Sequence, residues 1–188
     1  MSALLELDQV TICFGGLTAV SGVTATVGER ELVGLIGPNG AGKTTVFNLI
    51  TGVYQTTSGA ITFAGRPIAR LKPFEITRRG IARTFQNIRL FPSLTVFDNV
   101  RVAFHLHLRH DAVHSLTRGP KFFREESQLR EQTRELLSIF NLERVQDGPA
   151  RRLPCPEKDG VYISRALATK PRLLLLDEPA AGMNPTEK

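Results

Sequence analysis

The 188-residue chain contains no tryptophan, only two cysteines, no long apolar run and no block of like charge. Each shortage excludes something. The longest uninterrupted aliphatic run is Leu173 to Leu176, far short of the roughly 20 apolar residues that a membrane-spanning helix needs. The N-terminal stretch MSALLELDQVTI carries acids where a secretory signal carries Lys or Arg, and it has neither an apolar segment nor a small-residue cleavage site. A cytoplasmic location is therefore expected. Cys13 and Cys155 have neither the number nor the spacing of a disulfide framework or a zinc site, and are expected to be reduced, buried thiols. The net charge of +6 and the pI near 9.8 suit a nucleotide, nucleic acid or an anionic membrane surface. The basic residues stand as singles and pairs such as Arg78-Arg79 and Arg151-Arg152, with no interleaved aromatics, so no nucleic-acid partner is expected.

What is present is an alternation of apolar stretches and glycine turns. Leu4 to Ile12, Val23 to Val27 and Glu31 to Ile36 read as strands, punctuated by Gly15-Gly16 and Gly28-Glu29. The unbroken Leu32-Val33-Gly34-Leu35-Ile36 predicts a strand buried on both faces. From Lys43 the pattern through Ile50, with Gly52 following, predicts a short helix with a glycine stop. Strand signals fade between 92 and 152, and Leu129, Thr133, Leu136, Leu137 and Phe140 share one helical face. The stretch Ser115 to Arg124, with Gly119-Pro120, predicts a surface loop. Arg172 to Leu176 predicts a second buried strand, ending in Asp177 and Glu178. This order of elements places the chain in the α/β class.

Two motifs carry chemistry. Gly37-Pro38-Asn39-Gly40-Ala41-Gly42-Lys43-Thr44-Thr45 satisfies G-x-x-x-x-G-K-[ST], the Walker A loop. Its glycines let bare backbone N–H groups surround a phosphate, its lysine meets the β and γ oxygens, and its hydroxyl at Thr44 binds Mg²⁺. ATP and Mg²⁺ are the expected cofactors. The apolar strand ending in Asp177-Glu178 is the natural partner. One carboxylate, Asp177, serves the metal shell, and the second, Glu178, orients or deprotonates water. No Asn-Lys-x-Asp guanine reader is present, which favours adenine. His105, His107, His110 and His114 have no cluster of acidic or thiol ligands beside them apart from Asp111, and a solvated helix face is the better reading than a metal site.

These residues resemble a family. FGGLTAVSGV at 14–23, GPNGAGKTTVFNLITG at 37–52, RTFQNIRLFPSLTVFDNV at 83–100 and LLLLDEPAAGMNP at 173–185 are similar to ATP-binding-cassette (ABC) transporter ATPases, in particular to the longer ATPase subunit of branched-chain amino acid importers. The resemblance implies a P-loop NTPase fold with N-terminal antiparallel strands, a RecA-like parallel core and a helical subdomain at about 92–165 within one domain over 1–188. It implies adenine stacking on Phe14, which could otherwise be a core residue. It gives Gln86, an ordinary polar residue without it, contacts to Mg²⁺ and the attacking water. It implies a docking surface near Asn87 to Pro92 for a transmembrane permease subunit, a homologous ATPase subunit in a head-to-tail dimer, and indirectly a solute-binding protein. The expected location is peripheral, on the inner face of the cell membrane.

The sequence departs from that family in two places. The family's signature loop, Leu-Ser-Gly-Gly-Gln or a close variant, falls on Leu153-Pro154-Cys155-Pro156-Glu157. Pro154 removes a hydroxyl and an N–H, while Pro156 removes another N–H where glycine allows close approach. Gly160 in the following helix costs about 0.8–1 kcal/mol against Ala. The family also continues past its Walker B acids with another strand and a switch histidine. The sequence runs only to Lys188, so an incomplete C-terminus and weak turnover are the expectations.

Overall fold

The computed structural model describes residues 3–84, 90–107 and 120–177, without the side chains of 105–107 and 120–122. The chain divides into two compact units, residues 1–81 and 82–188.

The first unit is built on a four-stranded sheet in the order β2-β1-β3-β4. Its strands are β1 (Leu5–Phe14), β2 (Leu17–Val27), β3 (Ser58–Phe63) and β4 (Arg66–Pro67), and each neighbouring pair is antiparallel. β1 begins with Leu5 and Leu7 turned inward and ends with Val10 and Ile12 inward, so its buried face shifts by one residue midway. The cause is local. Gln9 sits at φ 47, the pairing with β2 slips between Leu7 and Val10, and a bulge of this kind re-aims every later side chain. The Gln9 backbone and side-chain N–H groups both donate to Thr24 Oγ1, at 3.1 and 2.9 Å.

Helix α1 (Lys43–Ile50) lays Val46, Leu49 and Ile50 inward. It stops as the sequence predicts: Thr51 is the C-cap and Gly52 follows at φ 72. A Cβ at Gly52 would lie 2.6 Å from the Leu71 carbonyl oxygen, so only glycine fits this left-handed stop. Helix α2 (Pro73–Arg78) starts on a proline, and Glu75 reaches back to accept from the Lys72 N–H at 2.8 Å. The apolar core of this unit includes Leu5, Leu7, Val10, Leu49, Ile50, Ile61, Phe63, Ile68 and Ile76. β3, β4 and α2 had no counterpart in the sequence reading; the signal was the Ile61/Phe63 alternation between Gly59 and Gly65.

Among the described residues the second unit gathers three α-helices, α3 (Val96–Arg101), α4 (Pro120–Ile139) and α5 (Cys155–Ala168). Val96, Val100, Phe104, Leu137, Leu142, Leu153, Val161 and Ala168 form its core, with Leu129, Leu136 and Phe140 packed against it. The helical face expected on 129–140 is thus the buried one. Thr133, fully buried within it, donates its hydroxyl to the Leu129 carbonyl at 2.6 Å. Thr95 caps α3 by accepting from the Asp98 N–H at 3.0 Å. Strands β5 (Ile81–Arg83) and β6 (Leu173–Leu175) form a two-stranded parallel sheet, with the Thr84 N–H donating to Leu175 O at 2.9 Å.

Four expectations need correction. Leu32 to Ile36 is not a buried strand: Leu32 is 98% and Ile36 95% exposed, and no described strand hydrogen-bonds to 31–36. An apolar run becomes a buried strand only when other strands take its edges, and that is not a local property. Residues 120–124 are helix and not loop, because Pro120 suits the first helical turn; residues 115–119 lie outside the described set. Both cysteines are exposed. Cys13 follows the inward-facing Ile12 on β1 and so faces outward, while Cys155 occupies the first turn of α5. Leu173 and Leu174 are only half-buried, and Leu176 is exposed.

Candidate functional site

The Walker A residues form a preshaped loop entering α1. Gly40 and Gly42 adopt φ 84 and 87, backbone states that residues with a Cβ seldom hold. At Gly42 a Cβ would lie 2.9 Å from the Ala19 carbonyl oxygen and 3.1 Å from Val20 Cγ2, so glycine lets the loop lie directly on β2. At Gly37 it would stand 3.2 Å from Ala41 Cβ. The Ala41 N–H donates to Pro38 O at 3.2 Å, and the Val46 N–H to Gly42 O at 2.9 Å. No side chain caps the start of α1, which leaves first-turn N–H groups and the positive end of the helix dipole for an anion.

Lys43 shows how the loop is held together. Its ammonium donates to the carbonyls of Gly37 at 2.7 Å and Pro38 at 2.9 Å, folding the side chain back over the loop that it closes. Those bonds keep the cation half-buried beside the loop. Asn39 and Thr44 are exposed and Thr45 is half-buried.

Phe14 ends β1 beside the Gly15-Gly16 turn and is 44% exposed. It is not a core residue. Its ring meets Tyr54 in a T-shaped pair, with centroids 5.1 Å apart and planes at 74°.

In the second unit Asp177 follows β6, and its carboxylate is buried against Arg83 of β5. The Arg83 Nη2 to Asp177 Oδ2 distance is 2.7 Å, with side chains 3% and 6% exposed. The Asp177 N–H donates to Thr84 Oγ1 at 3.3 Å. Sequence reading missed Arg83 as a partner, although it stands two residues before the quoted Phe85-Gln86; nothing local in the sequence links it to position 177. Gln86 and Glu178 lie outside the described residues, as do Asn87 and the two following residues of the expected docking surface. So do His110, His114 and the side chains of His105 and His107. Among the described residues no group of three or more His, Cys, Asp or Glu is arranged to hold a metal ion.

The described end of the expected docking segment is firmly held. Asn99, fully buried, accepts from the Phe91 N–H at 2.8 Å and donates to Phe91 O at 3.0 Å and Thr95 O at 2.9 Å. The exposed ring of Phe91 carries the Arg165 guanidinium 5.2 Å from its centroid. Burial pushes the pKa of Arg165 below its ordinary value, and the charge interaction with Tyr162 opposes this.

At the signature position, Leu153 is buried and Pro154 is the N-cap of α5 without a side-chain cap bond. Glu157 accepts from Arg144 at 2.6 Å. Gly160 is buried where a Cβ would lie 3.1 Å from Phe140 Cβ and 3.3 Å from Leu142 Cδ1. The helix-propensity cost expected at Gly160 is therefore accompanied by a close approach of the neighbouring segment to α5.

A glycine-rich loop that closes on a lysine and opens a helix defines a P-loop nucleotide-binding protein. The family model described as ABC transporter matches residues 20–181, and the chain belongs to that family as an ABC ATPase. It is 45% identical over 184 residues to the high-affinity branched-chain amino acid transport ATP-binding protein BraF of Pseudomonas aeruginosa, covering 98% of this chain and 72% of that protein. It is 40% identical to LivG of Escherichia coli, a protein of the same description, with the same coverage. Among solved structures, the ADP conformation of MJ1267, an ATP-binding cassette of an ABC transporter, superposes with a TM-score of 0.81 at 30% identity, covering 99% of this chain and 72% of that one.

Proposed function

We propose that this chain binds Mg²⁺·ATP and hydrolyses it to energise an ABC importer of branched-chain or related amino acids. The observation that carries the nucleotide part is the preshaped loop, with Lys43 held by the carbonyls of Gly37 and Pro38. The amino-acid part rests on relatives named for branched-chain amino acid transport. In this reading the phosphates lie among the N–H groups of residues 37–45, Lys43 exchanges its carbonyl partners for phosphate oxygens, and adenine stacks on Phe14. The site roles of Gln86 and Glu178 come from the family resemblance.

The oxygen donors suit Mg²⁺, a hard cation. The Thr44 hydroxyl is exposed at the start of α1. Asp177 accepts from Arg83 through Oδ2 at 2.7 Å. Bound Mg²⁺ would supply charge neutralisation on the phosphates; the family resemblance assigns it to Thr44, Gln86 and Asp177. Neither unit contains a helix long and apolar enough to cross a membrane among the described residues, which supports a peripheral subunit working with transmembrane permease subunits, a second ATPase subunit and indirectly a solute-binding protein. We place the helical subdomain at about 92–165 and the docking surface at 87–92.

One observation favours a second reading, nucleotide binding with impaired turnover. Pro154 caps α5 without a hydroxyl, and Pro156 lacks an N–H in its first turn; losing one preorganised donor to a reacting phosphate group typically costs about a hundred- to a thousandfold in rate. The deciding experiment reconstitutes the chain with its permease subunits in vesicles and measures ATP turnover with amino-acid uptake, beside Lys43→Ala. Turnover that Lys43→Ala abolishes supports the first reading, and Mg²⁺-dependent ATP retention without turnover supports the second. Equal nucleotide retention by folded wild type and Lys43→Ala overturns both.

A further inference from the structure

We propose that Tyr54 is a positioning residue for nucleotide base recognition: it holds the Phe14 ring in a fixed orientation and ties that ring to the helix that carries the phosphate loop. This rests on the reading that adenine stacks on Phe14. The observations come from both ends of α1. At its N-terminal end are Lys43 and Thr44. Just beyond its C-terminal end, the N–H groups of Val53 and Tyr54 both donate to the Asn48 carbonyl, at 2.9 and 3.2 Å, so the backbone of Tyr54 is anchored to the last turn of the helix. Eight residues at 1.5 Å each make α1 about 12 Å long. A short rigid rod thus joins the phosphate end of the site to the ring that meets Phe14.

The segment after Tyr54 is also stitched to β1. The Thr57 N–H donates to Thr11 O at 2.8 Å, and Thr57 Oγ1 accepts from the Cys13 N–H at 3.0 Å. Phe14 therefore leaves a strand whose end is registered against the residues following Tyr54. On its other side it leads into Gly15 and Gly16, around which a Cβ would find nothing within 4 Å. Tyr54 is thus an aromatic packing partner that the structure gives the Phe14 ring. Without it, the exposed phenyl ring regains rotamer freedom that base stacking must then remove. Tyr54 is itself 37% exposed, so its aromatic contact is separable from the core. Aromatic pairs of this geometry correspond to about a two- to tenfold change in an equilibrium constant.

The experiment measures binding of ATP, and of inorganic tripolyphosphate as a base-free probe, by calorimetry on the full chain with Mg²⁺. The variants are Phe14→Ala, Tyr54→Leu, Tyr54→Phe and the double Phe14→Ala/Tyr54→Leu, each checked for an unchanged thermal midpoint. Tyr54→Leu keeps apolar bulk but removes the ring. The expected result is that Tyr54→Leu weakens ATP about two- to tenfold and leaves tripolyphosphate unchanged, that Tyr54→Phe binds like wild type, and that the double variant equals Phe14→Ala alone. If Phe14→Ala leaves ATP binding unchanged, the stacking reading of Phe14 falls and the positioning role with it. If Phe14→Ala weakens ATP but Tyr54→Leu does not, only the role of Tyr54 falls. Equal weakening of ATP and tripolyphosphate by Tyr54→Leu, or an additive loss in the double variant, also overturns the positioning role.

Discussion

Replacing Arg83 by methionine should destabilise the protein more than almost any single polar substitution, because it leaves the largely buried Asp177 carboxylate without this counter-charge. The two side chains meet at 2.7 Å with 3% and 6% exposure, so solvent screening offers little relief. Removing one member of a buried pair costs about 3–5 kcal/mol, most of it the penalty of the charge left behind. A domain commands only about 5–15 kcal/mol in total, so the variant stands near the threshold of folding. With a urea slope of about 1–3 kcal/mol per M, the unfolding midpoint should fall by about 1 M or more at neutral pH. The control is Arg83→Met combined with Asp177→Leu, which removes both charges and should recover most of the loss, since buried pairs exchanged for apolar residues are often neutral or better. If Arg83→Met shifts stability by less than about 0.5 kcal/mol, or if the double variant is worse than the single one, the pair is not the buried counter-charge described above.

Gly160→Ala sets a helix-propensity gain of about 0.8–1 kcal/mol against overpacking of about 1–3 kcal/mol, because the new Cβ would lie 3.1 Å from Phe140 Cβ. Denaturant titration should show a net loss of up to about 2 kcal/mol, and a gain would mean that the 140–142 segment yields easily. Burial raises the pKa of Asp159 above its ordinary value, so its contribution favours folding at low pH, where it is protonated in both states, and that contribution is lost as pH rises through its folded value. Asp159→Asn should therefore raise the thermal midpoint at pH 7 relative to wild type, and the difference should vanish at pH values below the ordinary carboxylate range; an equal effect at both pH values counts against the desolvation account. Pro154→Ser with Pro156→Gly restores the hydroxyl and N–H of the family's signature loop, and single-turnover cleavage of ATP by the assembled transporter should quicken about a hundredfold or more; an unchanged rate would place the block elsewhere.

What the sequence determined by itself is confined to features whose cause lies within a few residues. The loop at 37–45 needs positive φ at Gly40 and Gly42 and a lysine that can bond carbonyls five and six residues back, and all of those parts are contiguous. The stop of α1 at Gly52 and the buried face of α4 at Thr133 and Leu137 are local in the same sense, set by one glycine and by helical period. Tertiary structure decided everything that depends on residues distant in the chain. Leu32 to Ile36 reads as a buried strand, yet no described strand takes its edges and it stays exposed. Cys13 was placed by its position in the register of β1, shifted by the bulge at Gln9. The Asp177 carboxylate found Arg83 across 94 residues, and Phe14 found Tyr54 across 40. Side-chain chemistry and backbone preference act within a turn or two of chain, whereas strand pairing and charge burial are set by the partner that the fold brings alongside.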